Sequence, residues 1–475
     1  MSVARSPDRP RVLAGDSLAY ALLGAARVCE GVRSGRTLRD GLAAERAAAA
    51  KLRAAPTRSD PIGAIHDLAA RALRRRGRAD VLLARLAGRV PEPPLLRELL
   101  VVSIALVVDA LDPRWPSDAS FETRVADLPY APFTVVDQAV HAATAVPELA
   151  RAKGFVNAIL RTLLRDVAGD RASLIEVLDG ARSTIESRDG LPSWWLHRLR
   201  RAYPDDWTAV IDAARALPPL VLRVNVAQGS VDDYLETLAQ HAIPATRVGP
   251  VAVRVETPMP VGRLPGFESG RVSVQDAAAQ LAAPLLDVRP GMRVLDACAA
   301  PGGKTGHLLE AYPDIDCVAL DADRERLARV RENLDRLRLA ATLVVGDAAQ
   351  PGAWWDGRPF DRILADVPCT ASGILRRHPD IRWLRREGDI ARLSLHAQHI
   401  TDALWPLLNP GGKFLFVTCS VFPEESACQA DAFAARHPDA LVLPSPGQLL
   451  PGRLDPSIAT TDHDGLFFAL YEKMR

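Results

Sequence analysis

Residues 293–305 of the chain read R-V-L-D-A-C-A-A-P-G-G-K-T, an apolar run that ends in aspartate and leads into a glycine-rich turn. This pattern predicts a short buried strand, a tight turn and then a helix. The paired glycines Gly302 and Gly303 permit the turn and let a ligand approach the amino terminus of that helix. The end of the stretch is similar to a phosphate-binding P-loop, but that motif needs glycine where the chain has Cys298. Nucleotide hydrolysis is therefore disfavoured.

After Gly270 the chain alternates strand and helix, which predicts a doubly wound, mostly parallel sheet. The candidate strands are residues 293–296, 317–321, 342–347, 361–366 and 413–419, of which four end in aspartate and the last in cysteine. Ligands of such sheets bind outside the carboxyl ends of the strands, so we expect the site there. The dinucleotide fingerprint G-x-G-x-x-G is absent, while Asp321 is well placed to bind ribose hydroxyls. The pattern indicates an adenosine-containing ligand without a pyrophosphate.

The chain before Gly270 predicts two further domains. In residues 1–168, apolar residues and arginine recur at helical spacing, for example over 60–73 and 79–86, which predicts an all-helical domain. Residues 169–268 predict a small α+β domain, with strands over 219–225 and 251–255 and a helix over 232–241. Residues 269–475 then form the α/β domain, which is the candidate enzyme.

The composition is that of a folded protein of several domains. The chain has 475 residues, of which 48% are hydrophobic and 25% charged. It shows neither an apolar run long enough to cross a bilayer nor a secretory signal, so we expect a cytoplasmic protein. Its six cysteines form no C-x-x-C pair, which argues against a disulfide framework and a zinc ribbon. No metal site is predicted.

Basic residues are concentrated near the amino terminus. The net charge is only +1, but the first 100 residues carry 19 Lys and Arg against 10 Asp and Glu. Within them, Arg74, Arg75, Arg76 and Arg78 form a candidate contact for nucleic-acid phosphates. The alternative is the solvated end of a helix, which the sequence favours about equally.

Two segments each place a cysteine just beyond a predicted strand, namely D-V-P-C-T-A-S-G over 366–373 and F-V-T-C-S-V-F-P-E-E over 416–425. A lone cysteine is usually a small buried hydrophobe, and this is the expectation for Cys29, Cys317 and Cys428. Cys369 and Cys419 are instead expected to face the ligand site, because both follow strands that end at its edge.

These two segments resemble the RNA cytosine-5 methyltransferases, whose pattern is D-A-P-C-S-[GA]-[TS]-G followed by T-C-S. Val367 and Thr370 are conservative departures from it. The turn C-A-A-P-G-G-K-T is similar to that family's S-adenosylmethionine loop. Residues 154–161 with the helices before them resemble the NusB-type RNA-binding domain, and residues 219–225, 275–276 and 464–468 resemble the RsmB (Fmu/Sun) subfamily. The resemblance implies a class I, Rossmann-like methyltransferase that modifies a cytosine of small-subunit ribosomal RNA.

The resemblance also implies roles for individual residues. Cys419 attacks C6 of cytosine, Cys369 assists removal of the C5 proton and release of the product, and Asp366 binds the base near N3 and N4. Lys304 steadies the electron-rich adduct or has a structural role in the turn. Asp321 holds the cofactor's ribose and Asp347 its adenine edge. The methionine end is held by the remaining cofactor residues, which are Cys298, Ala299, Ala300, Pro301, Gly302, Gly303 and Lys304, with Asp366 beside them.

Three functions are compatible with these residues. The first is a ribosomal RNA cytosine-5 methyltransferase, and the second is a cytosine-5 methyltransferase of transfer RNA or another RNA. The third is a non-catalytic RNA-binding assembly factor built on a methyltransferase scaffold. The intact cysteines and cofactor loop argue against the third, and the NusB-like helical domain favours ribosomal RNA. We expect a monomer whose partner is RNA.

Overall fold

The computed structural model describes residues 13–52, 61–108, 128, 130–169, 171–180, 190–456, 458 and 460–475. These residues form two compact units. The first contains the chain up to His197 together with His378–Arg385, and the second contains Arg198–Arg377 and Arg386–Arg475.

The described part of the first unit is helical, as predicted. Its helices are α1 (Leu18–Arg33), α2 (Leu38–Leu52), α3 (Ile62–Ala87), α4 (Pro94–Ala105), α5 (Pro132–Ala145), α6 (Lys153–Gly169) and α7 (Arg171–Gly180). Helix α4 is almost entirely apolar and lies in the core against α1 and α3, where Leu99 and Leu100 are fully buried. The burial of apolar side chains from several helices stabilises this unit.

Helix α3 is longer than predicted. The sequence indicated separate helical segments over 60–73 and 79–86, but the structure has one continuous helix through Gly77. A glycine inside a helix costs about 1 kcal/mol relative to alanine. Burial of Leu73, Ala79 and Leu82 on the same core face outweighs that cost. The helix ends at Gly88, whose φ of 63° suits glycine.

The first unit extends beyond residue 168, where the sequence placed the domain boundary. Helix α7 packs against α3 and α6. A short helix from the other end of the chain, α14 (Ile381–Leu384), also belongs to this unit. Next to it, Asp380 accepts a hydrogen bond from the Leu38 amide at 2.9 Å, and the Trp383 indole donates to the Leu73 carbonyl at 3.0 Å. The boundary between the two units, after His197, lies within helix α8 (Ser193–Ala202).

The second unit begins with a small α+β region. Its helices are α9 (Trp207–Arg215) and α10 (Val231–Gln240), and its strands are β1 (Leu220–Val224), β2 (Ala245–Arg247), β3 (Ala252–Val255) and β4 (Val272–Val274). The strands form an antiparallel sheet in the order β2-β3-β1-β4. Helix α10 begins with a capping box between Ser230 and Asp233. Its buried face packs on the sheet through Tyr234 and Leu238.

A seven-stranded sheet follows, in the order β10-β11-β9-β8-β5-β6-β7. Its strands are β5 (Arg293–Ala297), β6 (Asp316–Asp321), β7 (Thr342–Val345), β8 (Phe360–Asp366), β9 (Leu408–Thr418), β10 (Ala440–Leu449) and β11 (Leu466–Lys473). The helices among them are α11 (Ala282–Leu285), α12 (Gly303–Ala311), α13 (Arg324–Leu337), α15 (Gly388–Leu404) and α16 (Ala427–Arg436). Strands β5 to β9 pair in parallel, whereas β11 is antiparallel to β9 and β10. The predicted fold class is confirmed.

The topology places the predicted ligand residues at one edge. Because β5, β6, β8 and β9 are parallel, their carboxyl ends meet there. The ladder pairs Ala297 with Leu320 and Ala365, and it pairs Asp366 with Val417. None of the described helices is both long and apolar enough to cross a membrane.

Candidate active site

The turn after β5 is shaped for close approach. Gly302 has a φ of 94°, and a Cβ there would lie 3.2 Å from the Cα of Val330 on α13, so only glycine fits. Helix α12 begins at Gly303, and no side chain caps its amino terminus. Its first amide groups therefore point toward the carboxyl edge of the sheet without a capping side chain.

Asp321 ends β6 and ties this turn to the sheet. Its carboxylate accepts hydrogen bonds from the Ala300 amide at 3.1 Å and the Asp323 amide at 3.0 Å, and its side chain is 3% exposed. The guanidinium of Arg326 lies 3.6 Å from the same carboxylate and donates to the Ala300 carbonyl at 3.0 Å. Asp321 thus orders the loop that the sequence assigned to the cofactor.

Asp347 lies two residues beyond the end of β7, because that strand is shorter than predicted. Its carboxylate accepts hydrogen bonds from the Ala349 amide at 2.9 Å and the Gln350 side chain at 3.1 Å. Cys298, with a φ of 62°, is partly buried. Burial and the carboxylates of Asp366 and Asp321 raise the pKa of its thiol far above the ordinary value. Cys298 is therefore held as a neutral thiol.

Asp296 is a site residue to which the sequence motifs assign no role. It is 1% exposed, and one carboxylate oxygen accepts a hydrogen bond from Thr305 at 2.6 Å. The other oxygen, Oδ1, has no hydrogen-bond partner. Burial raises the pKa of Asp296 to about 7, against the opposing effects of Thr305 and Lys304. The signal for its role was present, because Asp296 is one of the strand-end aspartates.

The two predicted cysteines come together at the same edge. The Sγ atoms of Cys369 and Cys419 lie 3.5 Å apart, although 50 residues separate them in sequence. Their hydrogen bond, burial, and the negative charges of Cys419 and Glu425 raise the pKa of the Cys369 thiol well above its ordinary value. Cys369 is therefore held as a neutral thiol beside Cys419.

Lys304 and Asp366 form an ion pair beside the thiols, with Nζ 2.6 Å from Oδ2. Burial by itself lowers the pKa of Lys304, but the charges of Asp366, Asp296 and Cys419 outweigh it and raise the pKa. A cation is thus held within electrostatic reach of Cys419.

Three further cysteines were expected to be small buried hydrophobes. Cys29 and Cys317 are buried, as expected, and burial raises the pKa of Cys29 to about 12. Cys428 differs from the expectation, because it lies on the exposed side of α16.

The arginine run of the first unit lies within α3 and divides into two kinds of residue. Arg74, Arg75 and Arg78 are partly exposed. Arg76 is 4% exposed, and its guanidinium donates two hydrogen bonds to the fully buried Glu98, at 2.9 and 2.7 Å. Arg76 therefore does not fit the predicted phosphate contact, because helix α4 supplies a buried anion that takes its charge. The arginine run that the sequence predicted as one exposed surface therefore includes one buried core residue, Arg76.

Comparison with known proteins assigns the family. Residues 283–469 match the family model described as 16S rRNA methyltransferase RsmB/F, and residues 191–262 match the ferredoxin-like domain of RsmF/B-like methyltransferases. Ribosomal RNA small subunit methyltransferase B of Vibrio cholerae serotype O1 is 44% identical over 330 residues, which is 68% of this chain and 73% of that protein. The chain belongs to the RsmB/F family. The resemblance predicted from the sequence is confirmed.

Solved structures share the fold of this RsmB/F protein. The structure named PH0851 covers 98% of this chain and 100% of its own, with a TM-score of 0.71 and 23% identity. A methyltransferase homologue from Pyrococcus horikoshii covers 61% of this chain and 97% of its own, with a TM-score of 0.53 and 26% identity. The likeness to PH0851 concerns the fold alone.

The cofactor of this methyltransferase family is S-adenosylmethionine, and the residues present fit it. Its methionine end carries a carboxylate and an ammonium group. The uncapped amino terminus of α12 offers amide donors to the carboxylate, and the unpartnered Oδ1 of Asp296 offers an acceptor to the ammonium. The hydrogen-bonding groups at this edge of the sheet thus suit both the carboxylate and the ammonium group of the cofactor.

Proposed function

We propose that this protein is a cytoplasmic, monomeric enzyme that methylates C5 of a cytosine in small-subunit ribosomal RNA through a covalent bond between Cys419 and C6. The observation that carries the proposal is the pair of thiols 3.5 Å apart next to the Lys304–Asp366 ion pair, at the edge that fits the cofactor. The Vibrio cholerae relative, by its name, acts on small-subunit ribosomal RNA, which supports the choice of substrate.

The chemistry requires a nucleophile because C5 of cytosine is unreactive. The Cys419 thiolate forms a bond to C6, and the electrons of the C5=C6 double bond make C5 enamine-like. S-adenosylmethionine, when bound, would supply an electrophilic methyl group to C5 and leave as S-adenosylhomocysteine. Lys304 holds positive charge near the reacting sulfur, and its partner Asp366 would hydrogen-bond the edge of the base. The target base must leave any stack to reach this edge.

Cys369 then removes the C5 proton. Before that bond forms, the hydrogen bond with Cys419, burial and the charge of Cys419 raise the pKa of Cys369. Once the Cys419 sulfur is bonded to C6, neither its charge nor its hydrogen bond opposes ionisation of Cys369, which then loses its own proton to solvent. The Cys369 thiolate takes the proton from C5, the C5=C6 bond reforms, and Cys419 leaves as a thiolate. The net change is replacement of a proton on C5 by a methyl group.

RNA also requires a contact away from the thiols, and we assign this to the first unit. Arg74, Arg75 and Arg78 on α3 remain the candidates for phosphate contacts, because they are partly exposed. Arg76 is excluded from this set by its pairing with Glu98.

A denaturing gel with labelled RNA and S-adenosylmethionine tests the order of steps, because only a covalent adduct survives it. Cys419→Ala should abolish methylation and leave no adduct. Cys369→Ala should still form the Cys419 adduct and transfer the methyl group, and should then accumulate methylated protein–RNA species that the double variant lacks. The exposed Cys428→Ala is the matched control and should behave as the wild type.

Three results would contradict parts of this assignment. An adduct that accumulates in Cys419→Ala and vanishes in Cys369→Ala would exchange the two roles. Methylation that survives both substitutions would exclude the covalent route. Bisulfite sequencing of RNA from a strain that lacks the protein identifies the substrate, and loss of a mark in transfer RNA with ribosomal RNA unchanged would favour the other methyltransferase class.

A further inference from the structure

We propose that Glu425 is a positioning residue that holds the Cys369 loop and the Cys419 loop together, so that both thiols reach the same substrate base. This inference rests on the proposed function. Glu425 ends the second cysteine segment, residues 416–425, and the motif alone indicates no role for it.

The carboxylate of Glu425 bridges the two loops directly. One oxygen accepts a hydrogen bond from the amide of Thr370 at 2.8 Å, and the other accepts from the hydroxyl groups of Thr370 at 2.5 Å and Ser420 at 2.6 Å. Thr370 follows Cys369 and Ser420 follows Cys419 in sequence. One side chain thus contacts the residue next to each thiol.

A second set of contacts continues the bridge. The hydroxyl groups of Ser372 and Ser420 lie 2.9 Å apart, and the Ser372 hydroxyl accepts a hydrogen bond from the Val421 amide at 2.9 Å. The Gly373 amide donates to the carbonyl of Cys419 at 2.8 Å. The network is buried, so each of these bonds is shielded from competition with water.

Because Glu425 is buried, its hydrogen bonds to the two loops favour the arrangement in which the loops are close together. Glu425 is 2% exposed, and an ionised carboxylate in such a place is costly unless several donors converge on it. Here the donors come from two loops that are about 50 residues apart in sequence. If the loops separate, the carboxylate loses its donors, so the closed arrangement of the loops is favoured. Its negative charge also adds to the hydrogen bond and burial that raise the pKa of Cys369.

The neighbouring Glu424 provides a matched control. It lies in the same turn, but its side chain is 44% exposed and pairs with Arg198 at 2.5 Å. Glu424→Gln removes a carboxylate from this turn without touching the thiol loops. Glu425→Gln keeps the side-chain volume and an acceptor for the Thr370 amide, while the two hydroxyl groups can accept from its new NH₂ group. Glu425→Ala removes the bridge.

Phenylarsine oxide is the first probe, because it condenses with two adjacent thiols and releases one water, and needs neither RNA nor cofactor. The wild type and Glu424→Gln should bind it at the thiol pair, whereas Cys369→Ala gives the background of the other cysteines. Glu425→Ala should bind it at least tenfold more weakly, and Glu425→Gln should lie between. Binding to folded Glu425→Ala as tight as to the wild type would overturn the proposal.

Kinetics supply a readout that general destabilisation does not produce. At a temperature where circular dichroism shows Glu425→Ala folded, its kcat should fall at least tenfold and methylated adduct should accumulate, with the Kd for S-adenosylmethionine unchanged and partial rescue in Glu425→Gln. Equal loss of cofactor binding would overturn the proposal. If Glu425→Ala does not fold, Ser420→Ala takes its place, because it removes one hydrogen-bond donor to Glu425. The proposal is then tested by arsenical binding and by the kinetics of this variant. A wild type that binds the arsenical but methylates no RNA refutes the proposed function and not the bridge.

Discussion

A buried ion pair joins the small α+β region to the cofactor turn, and its removal should destabilise the second unit. Arg223 on β1 is fully buried and donates two hydrogen bonds to Glu310 on α12, at 2.7 and 2.8 Å. It also donates to the Gly303 carbonyl at 2.7 Å and the Gln275 side chain at 2.6 Å. Arg223→Met leaves Glu310, whose side chain is 2% exposed, without its cation.

The size of the effect follows from this burial. Removal of one partner of a buried pair costs about 3–5 kcal/mol, because the remaining charge is uncompensated. For a domain of this size, roughly 2–4 °C of melting temperature accompany each kcal/mol, so we expect a fall on the order of 10 °C. The double variant Arg223→Met with Glu310→Leu removes both charges and should recover most of the loss. The exposed pair Arg254–Glu256 gives the control, where Arg254→Met should cost about 1 kcal/mol or less.

Thermal unfolding followed by circular dichroism measures these differences, with urea unfolding as a second method. The contact with Gly303 adds a functional readout, because Arg223→Met should also reduce the rise in melting temperature that S-adenosylmethionine causes. A single variant within about 1 kcal/mol of the wild type would refute the argument from a buried uncompensated charge. A double variant no more stable than the single one would refute it equally.

Three further predictions concern other charged groups. S-adenosylmethionine should raise the melting temperature of the wild type, and Asp321→Ala should weaken that response; equal shifts would count against the pocket. The folded pKa of Asp296, about 7, lies above its unfolded value of 3.8, so the stability of the protein falls as pH rises between them. Without cofactor, the free energy of unfolding of Asp296→Asn should therefore equal that of the wild type near pH 4 and exceed it by up to about 4 kcal/mol at pH 8. Urea unfolding at the two pH values measures this difference. Replacing Arg75 and Arg78 by glutamine should weaken RNA binding and flatten its dependence on salt, whereas Arg76→Met should lower the melting temperature, and an unchanged salt slope would argue against the phosphate contact.

Much of the fold could be predicted because its signals are local. The five parallel strands were found from apolar runs, and their order along the chain with the helices between them indicated the doubly wound sheet. The strands β10 and β11 were missed, because neither is followed by a helix that completes the repeating pattern. The break expected in α3 was wrong because burial on the core face, a tertiary effect, outweighs the cost of one glycine.

The candidate site shows the same division. The motifs around Cys369 and Cys419 and the turn before Gly303 are contiguous, so residue types and spacing alone indicated a cofactor loop and two thiols. The roles of Asp296 and Glu425 depend on burial and on which donors surround them, and those donors come from elsewhere in the chain.

The amino-acid sequence by itself determined the order of strands and helices, the ligand edge and the family, because periodicity and short motifs depend on neighbouring residues. Only the tertiary structure decided that the two thiols lie 3.5 Å apart, that Arg76 is a core residue and that burial raises the pKa of Asp296 to about 7. The physical reason is that desolvation and charge pairing depend on distance in space. Residues far apart in sequence, such as Glu425 and Thr370, acquire their chemistry only when folding removes water from between them.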